Sequence, residues 1–297
     1  MRTGTSGRRS DVAGVRGVPG PLRAAIPAVA LLLLGGCGTA DEAGRPPAPP
    51  DASAVGGGRT ESPRTASPEP APSSPPSADD VRRPGRAVTL GEVTVHVAAG
   101  HDAPEPPAAD DGAVTLPVPA GAAGTSPAGD TPGLVVAGPV GSTVDVLADG
   151  TAVVRGADGA VVAGVVPRGA RVGAGADGLV EVSVLVRGDA ATERASVVVG
   201  VAPVVSATWE DRGDEGGLSL VVVPRDWVRT AGAAGVEAVW SDLGARTDLG
   251  AGAVAPGMRD QLECHALGAP DKESWNLEPW RPDVGLLATL AARCNPD

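Results

Sequence analysis

The stretch Leu179-Val180-Glu181-Val182-Ser183-Val184-Leu185-Val186-Arg187 decides the fold class. Val180, Val182, Val184 and Val186 alternate with Glu181, Ser183, Leu185 and Arg187. A period of two puts each set on its own face of an extended chain, so the stretch reads as a half-buried β-strand. The same period recurs upstream, where Val93, Val95 and Val97 alternate with Glu92, Thr94 and His96. Asp149-Gly150, Asp158-Gly159 and Asp177-Gly178 fall between apolar runs, and Asp-Gly favours tight hairpin turns. An antiparallel, valine-built sheet or small sandwich is therefore expected from about residue 134 to 205. Residues 99–133, mostly Ala, Pro, Gly and Asp, hold one short strand near 114–118, and a strand upstream of 134 is expected to join loosely. Without aromatic residues this region, 87–205 in all, reads as a spacer or scaffold. His96 on its polar face and His101 in a loop are not read as ligands or catalysts.

Composition bounds the rest. The 297 residues include 43 Gly and 30 Pro, and no Phe or Tyr. Gly- and Pro-rich segments bury too little to offset their ordering entropy, which rules out a compact enzyme filling the whole chain. The formal charge of −12 opposes nucleic-acid binding, which needs a basic footprint. Ile and Lys occur once each, at Ile26 and Lys272, and Asn only at Asn276 and Asn295. This implies GC-rich coding DNA.

The N-terminus reads as an address. Arg2, Arg8, Arg9, Arg16 and Arg23 precede a short apolar run, residues 24–34, which suits a signal-peptide core but is too short to span a bilayer. The run ends in Leu34-Gly35-Gly36-Cys37, the small-residue-then-Cys pattern of a lipoprotein cleavage site. Residues 1–36 are thus a lipoprotein signal peptide and Cys37 the lipidated residue, placing the mature chain on the outer face of the cytoplasmic membrane. Cleavage would remove five Arg and Asp11 and take the charge from −12 to −16. Residues 37–86, rich in Pro, Ala and Ser, read as a disordered tether.

All five Trp lie after residue 205: Trp209, Trp227, Trp240, Trp275 and Trp280. Aromatic burial dominates small cores, so residues 206–297 are expected to form a small α+β domain. A hairpin is read from 206–210 and 218–223 around the acidic turn 211–217. A helix follows over 235–243, with Val236, Val239, Trp240 and Leu243 on one side. Residues 258–267 read as a second helix, and 284–292 as a third or a buried strand. With Cys37 lipidated, Cys264 and Cys294 remain as an even pair in an exported chain and are expected to form a disulfide. The fold class is α+β: signal and tether, antiparallel β region, then a disulfide-locked C-terminal domain.

That domain ends in Met258-Arg-Asp-Gln-Leu-Glu-Cys-His265, Asp271-Lys-Glu-Ser-Trp-Asn-Leu-Glu-Pro-Trp-Arg-Pro282 and Arg293-Cys-Asn-Pro296. These three strings resemble the actinobacterial exported-protein family that carries domain of unknown function 2599, over roughly the last 90 residues. The resemblance implies a secreted or lipid-anchored envelope protein. It brings neither an activity nor assigned catalytic residues.

Two readings of these residues stand side by side. On the second helix Met258, Leu262 and His265 share a stripe, with Gln261 at its edge, while Asp260 and Glu263 face away. His265 is either a buried histidine held by a backbone or Gln partner, or a general acid or base helped by Asp260 or Asp271. Arg259 and Glu263 are spaced as an i,i+4 surface pair. Trp275, Asn276, Glu278, Trp280 and Arg281 form either a stacking platform for sugar or a structural clasp, with the indoles in the core and Arg281 paired to a carboxylate. A lone His beside a disulfide cannot supply a zinc site, so neither metal nor cofactor is expected. No nucleophile elbow, P-loop or dinucleotide fingerprint occurs, and the Gly-rich residues 173–178 lack a Lys and sit among turns. The leading expectation is a non-enzymatic envelope lipoprotein whose partner is wall glycan or another envelope protein. The alternative is a wall-directed hydrolase using His265 with Asp260, Glu263 or Asp271.

Overall fold

Valine alternation builds two antiparallel sheets that face each other. The computed structural model describes residues 77–99, 107–119, 132–187, 190–191, 195–213 and 216–297, all within the compact unit Glu69–Asp297. The signal segment, Cys37, the tether as far as residue 76 and His101 lie outside the described residues.

The chain enters through a helical turn, α1 (Ala78–Arg82), then β1 (Arg86–Leu90), β2 (Val93–Ala99), β3 (Ala113–Pro117) and β4 (Leu134–Ala137). It continues through β5 (Thr143–Val146), β6 (Ala152–Arg155), β7 (Val161–Arg168), β8 (Ala170–Ala174) and β9 (Leu179–Val184). The two-residue strands β10 (Val186–Arg187) and β11 (Ala190–Ala191) lead to β12 (Ser196–Gly200). The rest is β13 (Val204–Arg212), β14 (Gly217–Pro224), α2 (Gly232–Ala245), α3 (Met258–Gly268), β15 (Trp275–Leu277) and α4 (Leu286–Ala291). The last segment, open between helix and strand in the sequence, is a helix.

The first sheet runs β1-β2-β4-β9-β8 and the second β3-β12-β7-β6-β5. Leu90, Val95, Val136, Val180 and Val182 of the first pack against Val114, Leu116, Val154, Val165 and Val197 of the second in one almost fully buried core. The Asp-Gly turns fall where expected: β5 to β6 at Gly150, β6 to β7 at Gly159 and β8 to β9 at Gly178, all with positive φ. A fourth, Asp111-Gly112, closes a tight turn before β3 inside the stretch read as irregular.

Two expectations need correction. The upstream strands are not loosely joined: β2 pairs with both β1 and β4, and β3 pairs with β12. These strands complete both sheets, because the apolar residues of β1 to β3 fill the sandwich core. Residues 77–86, assigned to the tether, are folded. Ser77 and Asp80 form a capping box that starts α1, and Ala78 and Val81 bury against Ala137 and Leu179 on the outer face of the first sheet. Local capping plus two buried side chains outweighs the Pro-rich neighbourhood.

At β7 the second sheet is buried on both faces, so the strand reads as a run, Val161-Val-Ala-Gly-Val-Val166, rather than an alternation. Val165 and Val197 face the sandwich core, while Val166 and Val198 join a second core with the C-terminal elements. Gly164 and Gly200 are cross-strand partners on that outer face. Without side chains they leave a flat floor, and the Trp227 indole lies on it; a Cβ at Gly164 would come within 2.7 Å of the ring, and one at Gly200 would overlap it. Trp227 Nε1 donates to the Val201 carbonyl at 3.1 Å, so its polar atom is satisfied while the ring is buried. Seating an indole this way is worth roughly 4–6 kcal/mol before entropy costs.

α2 crosses β6 and β7 beside this seat. Its own N-cap, Ala231, offers no side-chain cap. The β5–β6 turn supplies one: Asp149 Oδ2 accepts from Ala233 N–H at 2.7 Å, and Thr151 Oγ1 from Ala234 N–H at 3.1 Å. Burial pushes the Asp149 carboxyl up, but hydrogen bonds from the Thr151 hydroxyl and the Ala233 and Thr151 amides outweigh it and hold the group below its ordinary value. Gly200→Ala is expected to cost about 1–3 kcal/mol by overpacking and Trp227→Ala about 3–5 kcal/mol by cavity creation. Urea unfolding of the full chain reads both as lowered midpoints, and unchanged midpoints would show that the seat carries no stability.

Candidate functional site

The candidate residues converge where α3 meets β15. β13, β14 and β15 form a three-stranded antiparallel sheet in that order, so β15 is an edge whose outward backbone groups need partners. The expected stripe of α3 supplies them. Met258 and Leu262 are fully buried in the core under the sheet. One position along, Gln261 reaches residue 278, its Nε2 donating to the Glu278 carbonyl at 2.9 Å and its Oε1 accepting from the Glu278 N–H at 2.8 Å. One turn later His265 Nε2 lies 3.0 Å from the Asn276 carbonyl. The i,i+4 spacing of Gln261 and His265 thus matches the two-residue repeat of backbone groups along an extended strand. Helix side chains stand in for the missing neighbouring strand.

This geometry fixes the chemistry of His265. A carbonyl only accepts, so Nε2 carries the proton and Nδ1 is a lone pair, which is buried without a partner among the described residues. Burial is the main cause that holds the imidazole below its ordinary value; the Asn276 carbonyl pulls the other way and Lys272 adds to the lowering. His265 is therefore neutral at pH 7. Among the described residues no hydrogen bond joins it to Asp260, Glu263 or Asp271; Asp260 and Glu263 are half-buried and Asp271 is exposed.

Trp275 is 0% exposed and its Nε1 donates to the Ala269 carbonyl, so it presents no face to a ligand. Trp280 is half-buried, covering Gly216 and Gly217 on one side, with the Arg281 guanidinium 4.4 Å from its ring centre. Asn276 is half-buried, and its backbone carbonyl serves His265. Glu278 is 3% exposed and ion-paired to Arg281. Arg281 also donates to the Pro296 carbonyl at 3.1 Å, while Cys264 and Cys294 form a disulfide. The chain end is thus fastened to β15 by a guanidinium and to α3 by a covalent bond. This is the geometry of the clasp.

Two polar ties were not read from spacing. Arg259 does not pair with Glu263; it reaches Glu237 on α2, which also binds Arg155 of β6 at 3.2 Å. Desolvation raises Glu237, but the two guanidinium groups outweigh it and hold the carboxyl below its ordinary value. Arg229 donates to the carbonyls of Pro270, Lys272 and Glu273 and so shapes the loop leading into β15. No sequence signal marks it, since its acceptors are backbone atoms some forty residues later. Among the described residues no group of three or more His, Cys, Asp or Glu could hold a metal ion.

The fold and clasp define a class: a disulfide-locked α+β module docked on a β-sandwich. Residues 204–297, the whole of that module, match the model of a family described as protein of unknown function, DUF2599. Uncharacterized proteins of Mycobacterium tuberculosis and Mycobacterium bovis are 43% identical over 86 residues, covering 26% of this chain and 56% of each relative. The chain therefore spans about half the length of the curated relatives it matches. No solved structure matches.

The lowered His265 pKa has a definite sign. Between its folded value and the ordinary 6.5 the unfolded chain binds a proton that the folded chain does not. Its stability contribution is complete above that ordinary value and is lost as pH falls toward the folded value. The urea midpoint is expected to fall between pH 7.5 and about pH 5, and His265→Gln, which can still donate to Asn276, is expected to flatten that fall. The same slope in the variant would show that His265 does not titrate as assigned.

Proposed function

We propose that this chain is a lipid-anchored envelope protein, held by diacylglycerol on Cys37 at the outer face of the cytoplasmic membrane. Its folded part is a non-enzymatic binding or structural module presented in the wall, with wall glycan or another envelope protein as partner. One observation carries the reading: the division of the three cysteines. Cys264 and Cys294 are joined in a buried disulfide, and disulfides persist in oxidising compartments. The cysteine left over, Cys37, follows Leu34-Gly35-Gly36 directly after a short apolar run. The mature charge of −16 lacks a basic patch for anionic lipid, so attachment rests on the acyl chains. No helix among the described residues is long and apolar enough to cross a membrane.

The surroundings of His265 favour this reading over the hydrolase. Its Nε2–H is engaged by a backbone carbonyl, and its other nitrogen is enclosed. A general base needs its lone pair within reach of substrate. Metabolic labelling with an alkyne fatty acid, in a bacterial host that matures lipoproteins, tests the anchor. The wild-type chain is expected to carry label and sediment with membranes, and Cys37→Ala to do neither. An unlabelled wild-type chain, or a labelled variant, overturns the proposal.

A further inference from the structure

Away from the clasp, the described residues cover the outer face of the second sheet only in part. Beyond the Trp227 indole it lies open between residues 107–111 on one side and residues 226–230 on the other, forming a trench of 440 Å³. That volume suits a small ligand. Its floor is apolar, made by Val198 and Ala113 with the indole as a wall, and Thr115 and Thr230 are among its lining residues.

The trench is polarised from end to end. Arg168 is in register with Ser196, at the start of β12. Asp111 precedes Gly112, whose carbonyl accepts from Val201 N–H just past the other end of β12. The run from Ser196 to Val201 is about 17 Å at strand rise. Asp111 itself is committed, to Arg225 at 2.5 Å and to the Asp226 N–H at 3.1 Å. Asp110 is exposed and has no ion-pair partner among the described residues. Asp226, its side chain 90% exposed, makes only a 3.4 Å contact with Arg229. At the opposite end Arg168 donates one N–H to Thr230 Oγ1 at 2.9 Å and has no carboxylate partner among the described residues.

From these charges we infer that the trench binds a short, extended peptide with free termini and small side chains. Its ammonium lies at Asp110 and Asp226 and its carboxylate on the Arg168 guanidinium. An extended chain advances about 3.3–3.6 Å per residue, so three or four residues bridge the two ends once the reach of Arg168 is included. Thr115 lines the trench between the termini, and Thr230 holds the Arg168 guanidinium at the carboxylate end. The shallow apolar floor suits methyl-sized side chains and excludes aromatic ones. The inference does not depend on where or how the chain is anchored.

Calorimetric titration of the full chain in detergent solution with tetra-alanine tests it. Single-site binding is expected, weakened about tenfold or more by N-acetylation or by C-terminal amidation, because each removes one charge-assisted contact. Arg168→Gln is expected to weaken the free peptide about tenfold while leaving the amidated peptide unchanged, and Asp110→Asn to do the same with respect to the acetylated one. Both side chains are exposed, so the urea midpoints of these variants should match the wild type. No binding at about 10 mM peptide, equal affinity for capped and free peptides, or variants that bind like wild type would each overturn the assignment.

Discussion

How everything C-terminal to β12 sits on the sandwich depends on the contact between the Trp227 indole and the paired glycines Gly164 and Gly200. A β-sandwich needs a polar outer face unless something covers it, and the outer face of the second sheet carries Val166 and Val198. Any Cβ at the two glycines would lift the ring off the sheet. With the ring down, its Nε1 meets the Val201 carbonyl, α2 falls across β6 and β7, and the Asp149 turn meets the α2 N-terminus. One close approach therefore sets the height and direction of a helix, and the helix sets the position of the rest. The Arg155–Glu237–Arg259 tie then joins β6, α2 and α3 on the same side, adding orientation more than stability, as is usual for partly exposed ion pairs.

The second constraint is the edge of β15. A three-residue strand can be stable only if its outward N–H and C=O groups find partners. Gln261 and His265 provide them from α3, while Trp275 and Leu277 point into the core on the other alternation. The backbone and the apolar side chains of Trp275-Asn276-Leu277-Glu278 therefore follow from the alternation of the strand. Trp275 and Leu277 are buried anchors, Asn276 and Glu278 present backbone to α3, and the Glu278 carboxylate turns to Arg281. This accounts for the backbone of the segment and for the Glu278 carboxylate, while the buried Asn276 Oδ1 has no hydrogen-bond partner among the described residues. It also explains why His265, despite its prominence in the sequence, is a neutral hydrogen-bond donor.

What could be read from the sequence is what local physics decides. Valine alternation, Asp-Gly turns and helical stripes placed strands, hairpins and helices close to where they lie, and the even pair Cys264 and Cys294 announced its bridge. What could not be read is set by distant partners. β3 pairs with β12 some eighty residues later, and nothing in residues 113–117 names that partner. Asp149 looks like an ordinary turn residue, yet one carboxylate oxygen orders its own turn through Thr151 while the other caps a helix far along the chain. Arg259 is spaced to meet Glu263, but Glu237 on α2 holds it. In α1 a local signal lies among prolines: Ser77 and Asp80 form a capping box that their spacing shows.

The match to the family model begins at residue 204 and thus includes Trp227 but neither of the glycines beneath it nor the Asp149 that caps α2. The clasp is self-contained within the matched region: Gln261, His265, Glu278, Arg281 and both disulfide cysteines all lie there. The seat is not. A chain that carries this module without this sandwich must cover the Trp227 face and the bare N-terminus of α2 by other means, since an exposed indole and uncapped amides both destabilise. The two halves of the fold thus stand in an asymmetric relation. The module closes its own sheet edge and chain end, whereas its buried base is completed by glycines and a carboxylate that belong to its neighbour.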